Sequence, residues 1–252
     1  MPFTVVIPAR YESTRLPGKV LSDIAGKTII QHVYERAIAS GASAVLIATD
    51  DQRIETVARG FGAEVIMTDP SHQSGTDRIA EAIDKANFGV NTVVVNVQGD
   101  EPQMPPALIR QVAGLLETAA GADMATLCEP ITKSADLFDI HLVKVVMTTD
   151  GRALYFSRAP IPWQQGGFDD DPVAEVAPGY YGHIGLYAYR VGFVQTFTRL
   201  PLCEMERLEA LEQLRVLHNG FCIHVGMAEC APGRGVDTLA DLERARQAMT
   251  AI

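Results

Sequence analysis

The chain has 252 residues and a formal net charge of −10, from 21 basic and 31 acidic side chains. That length accommodates one large α/β domain, and an acidic chain of this kind is poorly suited to general binding of nucleic acid or anionic membranes. No apolar run is long enough to span a bilayer, and Arg10 and Glu12 interrupt the N-terminus where a signal peptide needs an apolar stretch, so a cytoplasmic protein is expected.

The first half alternates strands and helices. Thr4–Ile7 is a β-branched run that reads as a buried strand. The loop behind it carries Arg10, Arg15 and Lys19 between Pro8, Pro17 and Gly18, a positive island in an acidic chain. The spacing predicts a helix over Ile29–Ser40 with Ile29, Val33, Ala37 and Ile38 on one face and Gly41 just beyond it. A strand over Ala44–Ala48 ends at Asp50 and Asp51, each a good helix cap, and a helix over Asp51–Arg59 follows. After a strand at Glu64–Met67, Ser74-Gly75-Thr76-Asp77 opens a helix in the manner of a capping box. Thr92–Val97 is the most apolar strand; it ends in Gln98-Gly99-Asp100, and Pro105-Pro106 start another helix. Continuous apolar strands with interposed helices imply a parallel sheet covered on both faces, with ligands beyond the strands' C-terminal ends. That rule puts the basic loop, Asp50-Asp51, Ser74–Arg78 and Gln98–Asp100 on one rim.

The middle of the chain changes character. Met124–Cys128, Val143–Met147 and Leu154–Phe156 read as strands, with Thr149–Arg152 as a hairpin turn. Pro160–Gly179, which holds Asp169-Asp170-Asp171, reads as a surface loop, and His183–Tyr189 as a further strand. The segment from about 124 to 200 is thus expected to form an antiparallel extension within a single domain covering 1–252, serving an acceptor site or a subunit contact. Leu208, Leu211, Leu214 and Leu217 predict one amphipathic helix ended by Gly220, and Thr238–Asp241 caps the last helix.

Four cysteines without a C-x-x-C pair suit reduced, structural thiols; Cys222, His224 and Cys230 offer a metal site on paper, but small buried cysteines on a strand account for the pattern better. The basic loop is not a Walker motif, because Leu21 stands where the first glycine is required, and no G-x-G-x-x-G follows the first strand. Guanidinium forks and a mobile ammonium suit phosphate or carboxylate, and by spacing alone a phosphate cradle and a solvated basic loop are equally supported. Asp100 and Asp237, each at a strand end or turn, could share one Mg²⁺ or serve as turn residues, with Asp50 and Asp51 as competitors. His183, Tyr187, Arg158, Glu212 and Gln213 also have ordinary readings as strand and helix polar faces.

Taken together and in order, Ile7–Tyr11 through Ser13–Lys19, His72–Arg78, Val97–Pro102, Tyr155–Arg158, His183–Tyr187, Leu211–Arg215 and Gly235–Thr238 closely resemble the 3-deoxy-manno-octulosonate (Kdo) cytidylyltransferases over nearly the whole chain. The resemblance implies a nucleotide-diphospho-sugar transferase-like α/β/α sandwich of three layers, with a mostly parallel central sheet and an antiparallel extension, in a homodimer. It implies transfer of CMP from CTP to Kdo with Mg²⁺, giving CMP-Kdo and pyrophosphate for lipopolysaccharide assembly. By resemblance, Arg10, Lys19 and Asp100 are catalytic, with the first two on the triphosphate. Pro8, Ala9, Gln73 and Ser74 lie at the cytidine, and Asp100 and Asp237 bind the metal. Arg15, Arg78, Gln98, Arg158, His183, Tyr187, Glu212 and Gln213 match the acceptor-sugar region. Gly182 departs from the family, which often has a cation there, so a related acid sugar such as 8-amino-Kdo or a sialic acid is the alternative acceptor. A nucleotide-binding homologue without catalysis is the other alternative.

Overall fold

The computed structural model describes residues 2–13, 15–168, 171 and 174–250. Thr14 of the basic loop and Asp169-Asp170 of the acidic run lie outside the described residues. In chain order the strands are β1 (Thr4–Ala9), β2 (Asp23–Ile24), β3 (Lys27–Thr28), β4 (Ala44–Thr49), β5 (Glu64–Met67), β6 (Val93–Asn96), β7 (Met124–Pro130), β8 (Lys144–Met147), β9 (Ala153–Ser157), β10 (Tyr181–Arg190) and β11 (Ile223–Met227). The helices are α1 (Ile29–Ala39), α2 (Gln52–Gly60), α3 (Gly75–Lys85), α4 (Pro106–Thr118), α5 (Ser134–Phe138), α6 (Val191–Phe197), α7 (Glu204–Glu209), α8 (Gln213–His218) and α9 (Leu239–Thr250). The fold is the expected α/β class, a mostly parallel sheet with antiparallel strands and flanking helices.

Two compact units share the chain. The first takes Met1–Gly114, Leu186–Thr198 and Glu229–Ile252. Its strands run β6-β1-β4-β5, all parallel, with the C-terminal half of β10 antiparallel to β6 from Tyr187↔Asn96 to Arg190↔Val93. Every residue of β1 is buried, which suits the run Val5-Val6-Ile7; each such side chain contributes roughly 1.5–3 kcal/mol by leaving water. The order reverses at β1, whose neighbours β4 and β6 follow it in sequence on opposite sides. A crevice for ligands therefore opens at the C-terminal ends of β1 and β6.

Local signals set the helix starts. The Asp51 side chain accepts the Arg53 N–H at 2.8 Å, and Ser74 Oγ accepts the Asp77 N–H at 3.1 Å. Thr238 and Asp241 form a reciprocal box, each side chain accepting the other's backbone N–H, at 3.2 and 2.8 Å. On α1 the buried face is Ile29, Ile30, Val33 and Ala37, whereas Ile38, expected on it, is exposed. The reason is angular: position 38 lies a further 100° round the helix from Ala37.

The second unit takes Leu115–Gly185 and Arg199–Ala228. β11 runs parallel to β7, and β8–β9 is the expected antiparallel hairpin, turning through Gly151 at φ +86. Gly182 on β10 pairs with Lys144 on β8. A small core of Ile131, Leu137 and Tyr180 is covered by Leu142, Phe168 and Val176. The single leucine-rich helix expected here is instead α7 and α8, broken at Ala210 in the left-handed region (φ 51). Leu211 and Leu214 are buried after the break, but Leu208 is 84% exposed, because the change of axis removes it from their face.

Candidate active site

The first unit holds an open cavity of about 260 Å³ at the ends of β1 and β6. Pro8, Ala9, Arg10, Ser13, Arg15, Lys19 and Val20 line it from the basic loop. His72, Gln73, Ser74, Gly75 and Arg78 line it from the entry to α3. Gln98, Gly99 and Asp100 come from the turn after β6, and Asp237 from the loop before α9. Four of these side chains are cationic and two are carboxylates, a positive excess in a chain of net charge −10. Such a cavity favours a polyanion.

Lys19 is at the centre. Only 8% of it is exposed, and its ammonium lies 2.5 Å from Asp100 Oδ2 and 2.7 Å from Asp237 Oδ1. Arg15 reaches the same Asp237 oxygen at 2.9 Å. Burial opposes the Lys19 charge most strongly, yet the Asp100 and then the Asp237 carboxylates outweigh it and hold its pKa above the ordinary lysine value. The loop is therefore a built part of the site, not a solvated island, although Arg15 itself is exposed.

Two close backbone approaches hold the carboxylates there. A Cβ on Gly99 would meet the Pro8 carbonyl oxygen at 2.9 Å, so only glycine lets the β6 turn lie against the end of β1. A Cβ on Gly233 would stand 2.6 Å from the Gln103 carbonyl oxygen, and the Val236 N–H donates to the Asp100 carbonyl at 2.8 Å. The Pro232–Asp237 loop is in this way laid on the Asp100–Gln103 turn.

Arg78 lines the cavity with its guanidinium already engaged. It donates to Thr68 Oγ1 at 2.5 Å and to Asp50 Oδ2 at 2.9 Å and is 4% exposed. This separates the two aspartates that competed for the metal: Asp50 pairs with Arg78, and Asp51 caps α2. At the other rim, Glu81 ties down the segment 69–73. One of its oxygens accepts the Asp69 N–H at 2.8 Å and lies 2.5 Å from His72 Nε2, and the other is 2.7 Å from Lys85.

Of the residues expected on the acceptor sugar, Arg15, Arg78 and Gln98 line this cavity beside those expected on the nucleotide. Tyr187 is also in the first unit, on β10 opposite Asn96. Arg158, His183, Glu212 and Gln213 belong to the second unit. There Arg158 Nε donates to the Glu209 carbonyl at 2.7 Å and Nη1 to the Ile140 carbonyl at 2.9 Å. His183 Nε2 lies 2.9 Å and the Ile184 carbonyl oxygen 3.1 Å from Thr126 Oγ1. Burial pushes its pKa down to about 3, and it offers a neutral imidazole. Glu212 lies 3.5 Å from Arg215, and Gln213 is 3% exposed.

Ser13, Val20 and His72 line the cavity without having been given a role in the sequence, and Gly75 and Gly99 line it within the stretches placed on the rim. Glu101 was also missed. Its Oε2 is buried with no hydrogen-bond partner among the described residues, and burial first, then the charges of Asp100 and Asp237, push its pKa up to about 8. Its only sequence signal was adjacency to Asp100. The paper metal site at Cys222, His224 and Cys230 is not formed; among the described residues no three His, Cys, Asp or Glu side chains group as for a metal ion.

Comparison with known proteins places these observations in a family. The cytidylyltransferase family model matches residues 4–225. The 3-deoxy-manno-octulosonate cytidylyltransferase of Idiomarina loihiensis is 55% identical over 248 residues, 98% of this chain and 98% of that protein. That of Halorhodospira halophila is 53% identical over 242 residues, 96% of this chain and 94% of that protein. Among solved structures, CMP:2-keto-3-deoxy-manno-octonic acid synthetase complexed with CTP superposes with a TM-score of 0.89 at 41% identity, covering 100% of this chain and 99% of that one. A cytidylyltransferase from Leptospira borgpetersenii, at 16% identity and a TM-score of 0.64, shares the fold.

Proposed function

This chain belongs to the 3-deoxy-manno-octulosonate cytidylyltransferase family, and we propose that it transfers CMP from CTP to the anomeric hydroxyl of Kdo, releasing pyrophosphate. The observation that carries the reading is the meeting of Lys19 with Asp100 and Asp237 at the strand ends, inside a cavity with an excess of cations. The sugar hydroxyl attacks the α-phosphorus in line with the departing pyrophosphate, and negative charge spreads over the phosphate oxygens. Arg10 and Lys19 face that charge, and fixed cations in a partly enclosed site lower the barrier more than they would in water. Pro8, Ala9, Gln73 and Ser74 are assigned to the cytidine. Arg15, Gln98, Arg78 and Tyr187, all in the first unit, are assigned to the acid sugar.

Asp100 and Asp237 fit a Mg²⁺ ion: they share one ammonium, and Mg²⁺ takes few protein ligands and completes its shell with phosphate oxygens and water. When bound, that ion would orient the phosphate and the attacking hydroxyl.

A homodimer is part of the proposal. The second unit exposes Leu154, Trp163, Leu202 and Leu208, large apolar side chains that a subunit contact would cover. No helix among the described residues is long and apolar enough to cross a membrane, which agrees with work in the cytoplasm on a precursor for lipopolysaccharide.

The deciding experiment is pyrophosphate release from CTP, Mg²⁺ and Kdo, with each omitted in turn and with 8-amino-Kdo and a sialic acid substituted for Kdo. Release that requires all three components, with kcat/KM highest for Kdo, supports the reading. Faster turnover of another acid sugar would overturn the acceptor, and CTP binding without release from any sugar would overturn the activity.

A further inference from the structure

The two cations assigned to the triphosphate flank a ring that does not line the cavity. Arg10 directly precedes Tyr11, and Lys19 directly follows Gly18. The Gly18 N–H donates to the Tyr11 carbonyl at 2.8 Å, closing the loop between them. Gly18 adopts φ +70, and a Cβ there would stand 2.9 Å from Tyr11 Cζ and 3.0 Å from its hydroxyl oxygen. The phenol thus occupies the space that any other residue at 18 would need.

The ring is held from outside as well. Arg53 Cζ lies 3.3 Å from the Tyr11 ring centroid, a cation–π contact. Arg53 is itself gripped by Asp51, with Nε 2.9 Å from Oδ1 and Nη2 2.5 Å from Oδ2. Asp51 is in turn the cap of α2. A chain of contacts therefore runs from the start of α2 through Asp51 and Arg53 to Tyr11, then to Gly18 and the Lys19 backbone. Nothing in it touches the cavity before Lys19 and Arg10.

We propose that Tyr11, backed by Arg53, is a positioning residue that latches the basic loop so that Arg10 and Lys19 meet the triphosphate in fixed places. A single ring suits this work because it meets the loop at both ends at once, at Tyr11 itself and at Gly18. The proposal rests on the assignment of Arg10 and Lys19 to CTP.

The test compares Tyr11→Leu, Tyr11→Phe and Arg53→Leu with the natural chain. It measures kcat, KM for CTP, KM for Kdo, the thermal midpoint, and tryptic cleavage after Arg15 without substrates. A misplacement of about 1 Å can cost up to about 10²-fold, so Tyr11→Leu should lower kcat/KM for CTP on the order of 10- to 10²-fold. KM for Kdo should stay within about twofold and the midpoint within about 2 °C, while cleavage after Arg15 speeds up. Arg53→Leu should act in the same direction by a few-fold, as loss of an exposed cation–π contact would, and Tyr11→Phe should behave as the natural chain. Unchanged CTP kinetics in Tyr11→Leu would overturn the latch, as would an equal loss toward both substrates or a loss matched by a lowered midpoint. If the natural chain releases no pyrophosphate, the reaction assigned above fails, and the cleavage rate alone then decides the latch: faster cleavage in Tyr11→Leu upholds it and an unchanged rate overturns it.

Discussion

The Lys19 ammonium lies 2.7 Å from the Asp237 carboxylate, across 218 positions of sequence. Asp100 completes the group from a third element, and the three side chains together form the charged centre of the cavity. Removing either sign should therefore have different consequences.

Replacing Lys19 by Ala removes the buried cation and leaves Asp100 and Asp237 without their shared partner. Loss of one group that stabilises transition-state charge lowers kcat by about 10²- to 10³-fold. Steady-state pyrophosphate release measures it, and a rate within threefold of the natural chain would remove Lys19 from the site.

Asp100→Asn keeps the shape of the side chain and removes its charge. Turnover should be abolished at any Mg²⁺ concentration, while circular dichroism and the thermal midpoint stay close to those of the natural chain. Near-normal Mg²⁺-dependent activity in the variant would refute the metal role of Asp100.

Glu81 gives a pH signature. Burial raises its pKa, but Lys85, the Asp69 N–H and His72 outweigh that and bring it from 4.5 to about 2. A folded-state pKa below the unfolded one contributes stability that is complete above about pH 4.5 and is lost as the pH falls toward 2. With solvent screening the contribution is about 2 kcal/mol at neutral pH. Urea unfolding of Glu81→Gln should show a deficit of that order at pH 7 that narrows steadily below pH 4.5; a deficit independent of pH would contradict the assignment.

Gly99→Ala places a methyl group 2.9 Å from the Pro8 carbonyl oxygen, with Ala9 and Ile30 also within 3.4 Å. Overpacking of this kind costs about 1–3 kcal/mol. Because the strain falls between the ends of β1 and β6, kcat should fall as well, since Asp100 follows directly. Calorimetry and turnover together test this, and a variant with both properties unchanged would show that the strand ends tolerate separation.

Much of the first unit was readable because its signals are short-range. Val5, Val6 and Ile7 have the pattern of a buried strand, and Asp51, Ser74 and Thr238 each stand where a side-chain oxygen can take an orphan helix N–H. Longer apolar spacings were less secure. The leucines at 208, 211, 214 and 217 fit one helix, yet Ala210 enters the left-handed region and Leu208 faces solvent. The helices α5 and α6 were not foreseen; at 5 and 7 residues they are too short to display a period.

The sequence by itself determined the alternation of strands and helices, the capped helix starts, and a set of motifs whose order points to one family. It also named Arg10, Lys19, Asp100 and Asp237, but could not separate a phosphate cradle from a solvated basic loop. Only the tertiary structure brought that loop and the two carboxylates into one cavity. Parallel pairing of β1 with β4 and β6 brings strand ends from distant parts of the chain to one edge, and the glycines at 99 and 233 let their backbones close up. The same folding gave Asp50 to Arg78 and set Tyr11 between Gly18 and Arg53. Helix caps and strand patterns act over a few residues and are written locally, whereas a charge cluster depends on which strand ends become neighbours, and that is settled when the sheet assembles.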